Sequence, residues 1–224
     1  MTQPVTERPP GAPARYRLRL PASWWHLDLD PNTRDASIRR RVEAQVRHVP
    51  QLTREQVDEL IRNTRRTARE AYAKGALQAA GMLRILGTGS SGPLVLSATS
   101  LVLRISVPEE QADDLAELVV AAGIQLSKDA EGTGLPPGEV ELVEFAGVGG
   151  AGRITRIEEL EHKGRRIPTA VHHVLMPVPN SQEYLVLSSS TPNVHLADQF
   201  YDVFDAIAES FRFEDAAAVE SKGK

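Results

Sequence analysis

Two glycine-rich segments have the spacing that cradles the phosphates of a dinucleotide. Residues 87–92 and 147–152 both match G-x-G-x-x-G, a pattern that works where a strand precedes it and a helix follows at once. Pro93 and a strand-like run follow the first segment, which indicates a hairpin loop. No acidic residue stands about 20 residues after the start of the second to hold a ribose. A loop is favoured at both places, and a nucleotide-binding enzyme using 147–152 stays open as an alternative.

Histidines and serines are the next candidate chemical groups. None of the six histidines belongs to a metal-protease pattern or has carboxylates at ligand spacing. His172 and His173 are neighbours in a predicted strand, so their side chains are expected on opposite faces. The serine clusters lack the G-x-S-x-G pattern of a nucleophile elbow. The sequence therefore predicts no catalytic residue, no cofactor and no metal ligand.

The clearest indication of a binding surface in the sequence is a group of arginines. They decorate two predicted helices over 34–74, and such a surface can bind phosphates or an acidic partner. Acidic residues are interspersed and no aromatic residues interleave for base stacking, so a protein interface or a solvated face is favoured over nucleic acid. A tryptophan just before the helices is expected to be partly exposed. The predicted interface residues are Trp24, Arg39, Arg40, Arg41, Arg62, Arg65, Arg66 and Arg69.

The composition is that of a soluble globular protein. The chain has 224 residues, a net charge of −4 and no cysteine, which excludes a disulfide framework, a thiolate nucleophile and a cysteine–zinc site. No apolar run approaches the ~20 residues that span a bilayer, and residues 1–14 lack the hydrophobic stretch of a signal peptide. We expect a disordered tail over 1–14, one α+β domain over 15–214, a disordered tail over 215–224, and a cytoplasmic location without membrane insertion.

Hydrophobic patterning predicts the elements that position these groups. Helices are predicted at 34–49, 54–74 and 106–123. Strands are predicted at 16–20, 24–30, 94–107, 139–145, 153–160 and 169–177. Residues 77–86 are ambiguous between helix and strand, and a strand paired with 94–107 is favoured. Adjacent strands with clustered helices indicate an α+β fold with a largely antiparallel central sheet sandwiched between helices.

The end of the chain carries the clearest pattern. An apolar run at 184–187 predicts a central strand that leads into a helix reaching Ser210. One face of that helix is apolar and the other is acidic. Thr191 or Asn193 is predicted to cap it. The apolar stripe consists of Leu196, Phe200, Val203, Ile207 and Phe211.

Three segments of the chain resemble the PsbP-like fold. Residues 16–24 are similar to the family's opening strand with its proline and tryptophan, residues 184–192 to its late central strand, and residues 197–213 to its closing helix. The family includes extrinsic subunits of photosystem II and LpqN-type lipoproteins of actinobacteria. The resemblance implies an antiparallel sheet sandwiched between helices, in proteins that mostly bind partners and lack catalytic residues. The Arg-, Ala- and Glu-rich composition suggests an actinobacterial member of the kind that accompanies type VII secretion.

These observations together predict a non-catalytic protein-interaction or accessory module of the cytoplasm, associated with a type VII secretion system. The identity of the protein partner and the oligomeric state are left open. The first alternative is a nucleic-acid or acidic-partner binder that uses the arginine-rich helices over 34–74. The second is the nucleotide-binding enzyme that uses the loop 147–152.

Overall fold

A computed structural model describes residues 15–47, 49, 52–89, 92–106, 115, 117–119, 138–162 and 164–214 of the chain. The helices are α1 (Arg34–Val46), α2 (Arg54–Ala73) and α3 (Ala197–Glu209). Leu115 and residues 117–119 are also helical. The strands are β1 (Tyr16–Arg17), β2 (Trp25–His26), β3 (Gln78–Gly89), β4 (Gly92–Ser106), β5 (Glu139–Phe145), β6 (Gly149–His162), β7 (Arg165–Pro177), β8 (Glu183–Thr191) and β9 (Arg212–Phe213).

The centre of the fold is a seven-stranded sheet in the order β2-β3-β4-β8-β7-β6-β5. Every neighbouring pair in it is antiparallel. Strands β1 and β9 form a separate two-stranded sheet beside the end of α3. The predicted α+β class with a largely antiparallel sheet is therefore confirmed, as is the strand that was favoured at 77–86.

Helices cover both faces of the sheet. α3 lies on one face, where Phe204, Ile207 and Phe211 pack against alternate residues of the central strands such as Val174 and Leu187. On the opposite face, α1 and α2 form a second cluster over β3 and β4. Its fully buried side chains include Ile38, Val42, Ile61 and Ala68. This division follows from the two-residue period of the strands, which sends successive side chains to opposite layers.

The first two strands are shorter than predicted. Only Tyr16–Arg17 of 16–20 and Trp25–His26 of 24–30 are strands. The chain turns between them, where the Trp24 N–H donates to the Pro21 carbonyl oxygen at 2.9 Å. Because β1 pairs with β9 and β2 pairs with β3, the alternating residues serve two different sheets. Alternation alone does not reveal that change of partner.

Helix ends match the prediction at α2 and differ at α3. The capping box is present, since Gln56 N–H donates to Thr53 Oγ1 at 3.3 Å and Thr53 N–H donates to Gln56 Oε1 at 2.8 Å. The predicted cap at Thr191 or Asn193 is wrong, because a 3-10 turn at Val194–Leu196 separates both residues from α3. Asn193 instead binds the backbone of β4, accepting from the Ser97 N–H at 3.0 Å.

Some predictions lie outside the described residues. They are the tails over 1–14 and 215–224 and most of the helix over 106–123. Within the described part of the chain, no helix combines the length and the apolar character needed to cross a membrane.

Candidate functional site

Most of the predicted arginines contact acidic groups on their own helix pair. Asp35 on α1 is the centre of these contacts: Arg69 donates to its Oδ2 at 2.8 Å, and Arg65 Nε donates to its backbone carbonyl oxygen at 3.1 Å. Arg34 lies 3.5 Å from the same carboxylate. Burial opposes ionisation, but the hydrogen bond from Arg69 and the charges of Arg69 and Arg65 outweigh it and hold the pKa of Asp35 below its usual value. Asp35 therefore ties α2 to α1.

Other arginines of the predicted interface are paired or isolated. Arg39 lies 3.3 Å from Glu43 and 3.8 Å from Asp58, and Arg66 is paired with an acid one turn on. Arg40 and Arg62 are exposed and have no acidic partner among the described residues. The predicted residues therefore do not form one continuous cationic surface, and their contact with a partner stays a prediction.

Trp24 is not at the surface. It is 7% exposed, and its ring meets Phe204 of α3 edge-on with 6.3 Å between the ring centroids. The expectation of partial exposure is wrong because the turn at Pro21 aims this side chain into the α3 layer. The neighbouring Trp25 packs on the α1 side, where the Arg41 guanidinium lies 5.7 Å from its ring centroid.

A cavity opens where the end of α1 meets the outer edge of β3. We call this place the α1/β3 corner. Its volume is about 150 Å³, and it is open to solvent on one side. It is lined by Gln45, Val46, Val49, Leu83, Arg84 and Ile85. Sequence reasoning missed this site. Its only sequence signal is that Arg84 is the single charged residue between positions 78 and 103.

The opposite layer contains a chain of polar side chains between β5 and α3. His172 Nε2 lies 2.9 Å from Asp205 Oδ1, and Arg153 donates to Asp205 Oδ2 at 2.7 Å. Arg153 also forms an ion pair with Glu141 on β5. Burial alone would raise the pKa of Asp205. The hydrogen bond and charge of His172, together with Arg153, have a larger opposite effect and keep the pKa below its usual value. These contacts join three strands and α3 through side chains.

A Ser-His-Asp set also occurs in this layer, but its geometry is not catalytic. Ser189 is the cross-strand neighbour of His172, yet its hydroxyl lies 2.7 Å from that of Ser100. The Nδ1 atom of His172 has no hydrogen-bond partner among the described residues. Both Ser189 and His172 are fully buried. Because a nucleophile must contact its base and be reachable by substrate, this row supports the core.

His173 faces the other layer, as its adjacency to His172 predicts. Desolvation, with smaller contributions from the charges of Arg156, His172 and Lys74, lowers its pKa to about 4. Its Nδ1 atom is buried without a hydrogen-bond partner in the described structure. The ring is therefore neutral near pH 7.

The glycine motifs do not lead into helices. Residues 87–89 and Gly92 of the first motif belong to the paired strands β3 and β4. The second motif runs into β6, which begins at Gly149. Gly149 has φ +91 and makes the turn between β5 and β6. A Cβ at Gly147 would collide with the carbonyl oxygen of Phe211. These glycines serve turns and close packing. In the described residues each motif continues into a strand, β4 or β6, so neither motif is followed by the helix N-terminus that would bind a phosphate.

Comparison with known proteins gives a weak structural likeness. No family profile matches the chain, and no curated protein matches it. A crystal structure of LpqN, described as involved in cell envelope biogenesis of Mycobacterium tuberculosis, aligns over 92% of this chain and 87% of that chain with 13% sequence identity. The TM-score is 0.41, which is too low to carry an argument about function.

Proposed function

We propose that this chain is a non-catalytic protein-interaction module and that it contacts its partner at the α1/β3 corner. The observation that carries the proposal is that an open cavity, lined by four aliphatic side chains together with Gln45 and Arg84, coincides with a strand edge that has no partner among the described strands. Convergent apolar side chains in a concave site are typical of binding surfaces. The polar clusters elsewhere are committed to joining elements of the fold.

The charged groups of the described residues support this choice over catalysis and over nucleic acid. The Ser-His-Asp row is buried and internally bonded. On the helix pair, Asp35 holds Arg65 and Arg69, so those guanidinium groups are engaged within the fold. The cytoplasmic location and the association with type VII secretion stay predictions from the sequence.

Site-specific photocrosslinking tests the proposed function. A benzophenone amino acid is placed at Gln45, which lines the cavity, and at the exposed Asp202 on the outer side of α3 as the matched control. In cells of the native host, we expect one protein adduct from position 45 and none from position 202. Equal adducts from both positions, or adducts from position 202 alone, would contradict the proposal.

A further inference from the structure

The outer edge of β3 is largely without a neighbouring strand. On its inner side β3 pairs with β4 over its whole length. Among the described strands, only β2 pairs with its outer side, through Trp25↔Gly81 and His26↔Ala80. One hydrogen bond follows, from the Leu27 N–H to the Ala79 carbonyl oxygen at 2.9 Å. No described strand pairs with this side beyond Gly81. The backbone donors and acceptors on the outer side of residues 82–86 therefore have no partner strand in the part of the chain that the structure describes.

Side chains beside this row form a pocket for an added strand. Ile85 packs against the cluster of α1 and α2, and strand alternation places Leu83 on the same face. Both residues line the cavity together with Val46. A volume of about 150 Å³ is comparable to an apolar cavity that holds a benzene molecule. The corner can thus take one branched or aromatic side chain from a strand laid along β3.

The charges at this edge have one sign. Arg84 and Arg47 are exposed and have no acidic partner among the described residues, and Arg47 directly follows the cavity residue Val46. Between positions 78 and 103 there is no acidic residue at all. A second copy that paired through its own β3 edge would bring the same cations to this place and be repelled. An acidic segment would be attracted, so charge complementarity selects the occupant.

We propose that residues 82–86 receive an extended acidic segment of a partner protein as an added β-strand, with one apolar side chain of that segment in the α1/β3 corner. In such strand addition, main-chain hydrogen bonds supply affinity and alternate side chains supply specificity. Acidic residues on the other side of the added strand meet Arg84. This inference rests on the proposed function, because it specifies how the interaction module holds its partner.

Fluorescence anisotropy with a synthetic peptide tests the inference on the full chain. The probe is Ser-Asp-Val-Glu-Ile-Glu-Val-Asp-Ser, in which acidic and apolar residues alternate. We expect it to bind the wild-type protein, and we expect Arg84→Glu to weaken binding roughly tenfold or more. Arg62→Glu, at an exposed arginine on α2, is the matched control and is expected to leave affinity unchanged. Circular dichroism checks that both variants are folded.

Two modified peptides separate strand addition from attraction of charge. A version methylated at alternate backbone nitrogens loses the donors that a strand needs and is expected not to bind. A version with lysine in place of every acidic residue is also expected not to bind. Binding of the methylated peptide at undiminished affinity, equal weakening by Arg62→Glu, or no binding of the first peptide would overturn the inference. A partner that still crosslinks at position 45 would then leave the proposed function standing.

Discussion

The α3 layer and the α1/β3 corner treat their polar groups in opposite ways. In the α3 layer, His172, Asp205 and Arg153 are bonded to one another across three elements. At the corner, the outer backbone edge of residues 82–86 has no described partner strand. The exposed side chain of Arg84, within this edge, has no acidic partner among the described residues. Buried polar groups are costly unless they are paired, whereas an open edge costs little in water. The difference indicates that substitutions in the α3 layer change folding, while substitutions at the corner change binding.

The largest expected effect is the loss of Asp205. Asp205→Ala leaves the fully buried His172 without its acceptor and removes one partner of Arg153. We expect the free energy of unfolding to fall by about 3 kcal/mol, measured by urea denaturation. Asp202→Ala, at an exposed carboxylate of the same helix, is the control and should change it by less than about 0.5 kcal/mol. Equal effects of the two substitutions would show that the α3 layer does not depend on this chain of contacts.

The free energy of unfolding is expected to depend on pH through His173, which lies on the sheet face opposite to α3. Its pKa is about 4 in the folded protein and about 6.5 when unfolded, so the unfolded chain binds the extra proton first as pH falls. Stability should therefore be complete above about pH 6.5 and decrease by roughly 2–3 kcal/mol towards pH 4. Urea titrations of wild type and His173→Asn between pH 4 and 7 isolate this contribution.

A difference in stability between the two proteins that does not change over that pH window would contradict a neutral, desolvated His173 ring in the folded protein. The titration of Asp205 does not contribute to the change in stability between pH 4 and 7. Because its folded pKa is lowered, its contribution is present above about pH 4, the usual unfolded value, and is lost only at lower pH.

Asp35 should show a smaller effect, because its contacts are at the surface. Asp35→Asn keeps the backbone carbonyl oxygen that accepts from Arg65 but removes the charge that faces Arg69. We expect a small decrease in melting temperature that shrinks further at high salt. Glu55→Gln, at an exposed carboxylate in the first turn of α2, is the comparison. A decrease as large as that of Asp205→Ala would remove the contrast between the two layers.

Substitution at the corner should have the least effect on folding. Arg84→Glu and Arg47→Glu change exposed side chains without a described ion pair, so stability should stay within about 0.5 kcal/mol of wild type. Thermal melts of both variants check this expectation. A large decrease in melting temperature of either variant would mean that these arginines bind another part of the same chain, and that the corner is not open to a partner.

Local patterning predicted the elements whose packing is local and missed those that depend on distant partners. The amphipathic stripe of α3 and the capping box at Thr53 carry their physics within a few residues, and both are present. The contact between Asp35 and Arg69 spans 34 positions. The arginines could therefore be located in the sequence, but the acidic groups that they contact could not be predicted. Trp24 was misplaced for the same reason, because the turn at Pro21 determines its direction. The corner exists only after α1 is laid against β3.

Amide hydrogen exchange tests the central claim most directly, because the sheet has a second edge as an internal control. Strand β5 also has no described strand on its outer side, but it has three glutamates in seven residues and an exposed Leu142, so its charge disfavours an acidic strand. With the acidic probe peptide bound, we expect slower exchange at residues 82–86 and unchanged exchange in β5. Protection of β5, or of neither edge while the peptide is bound, would contradict the account.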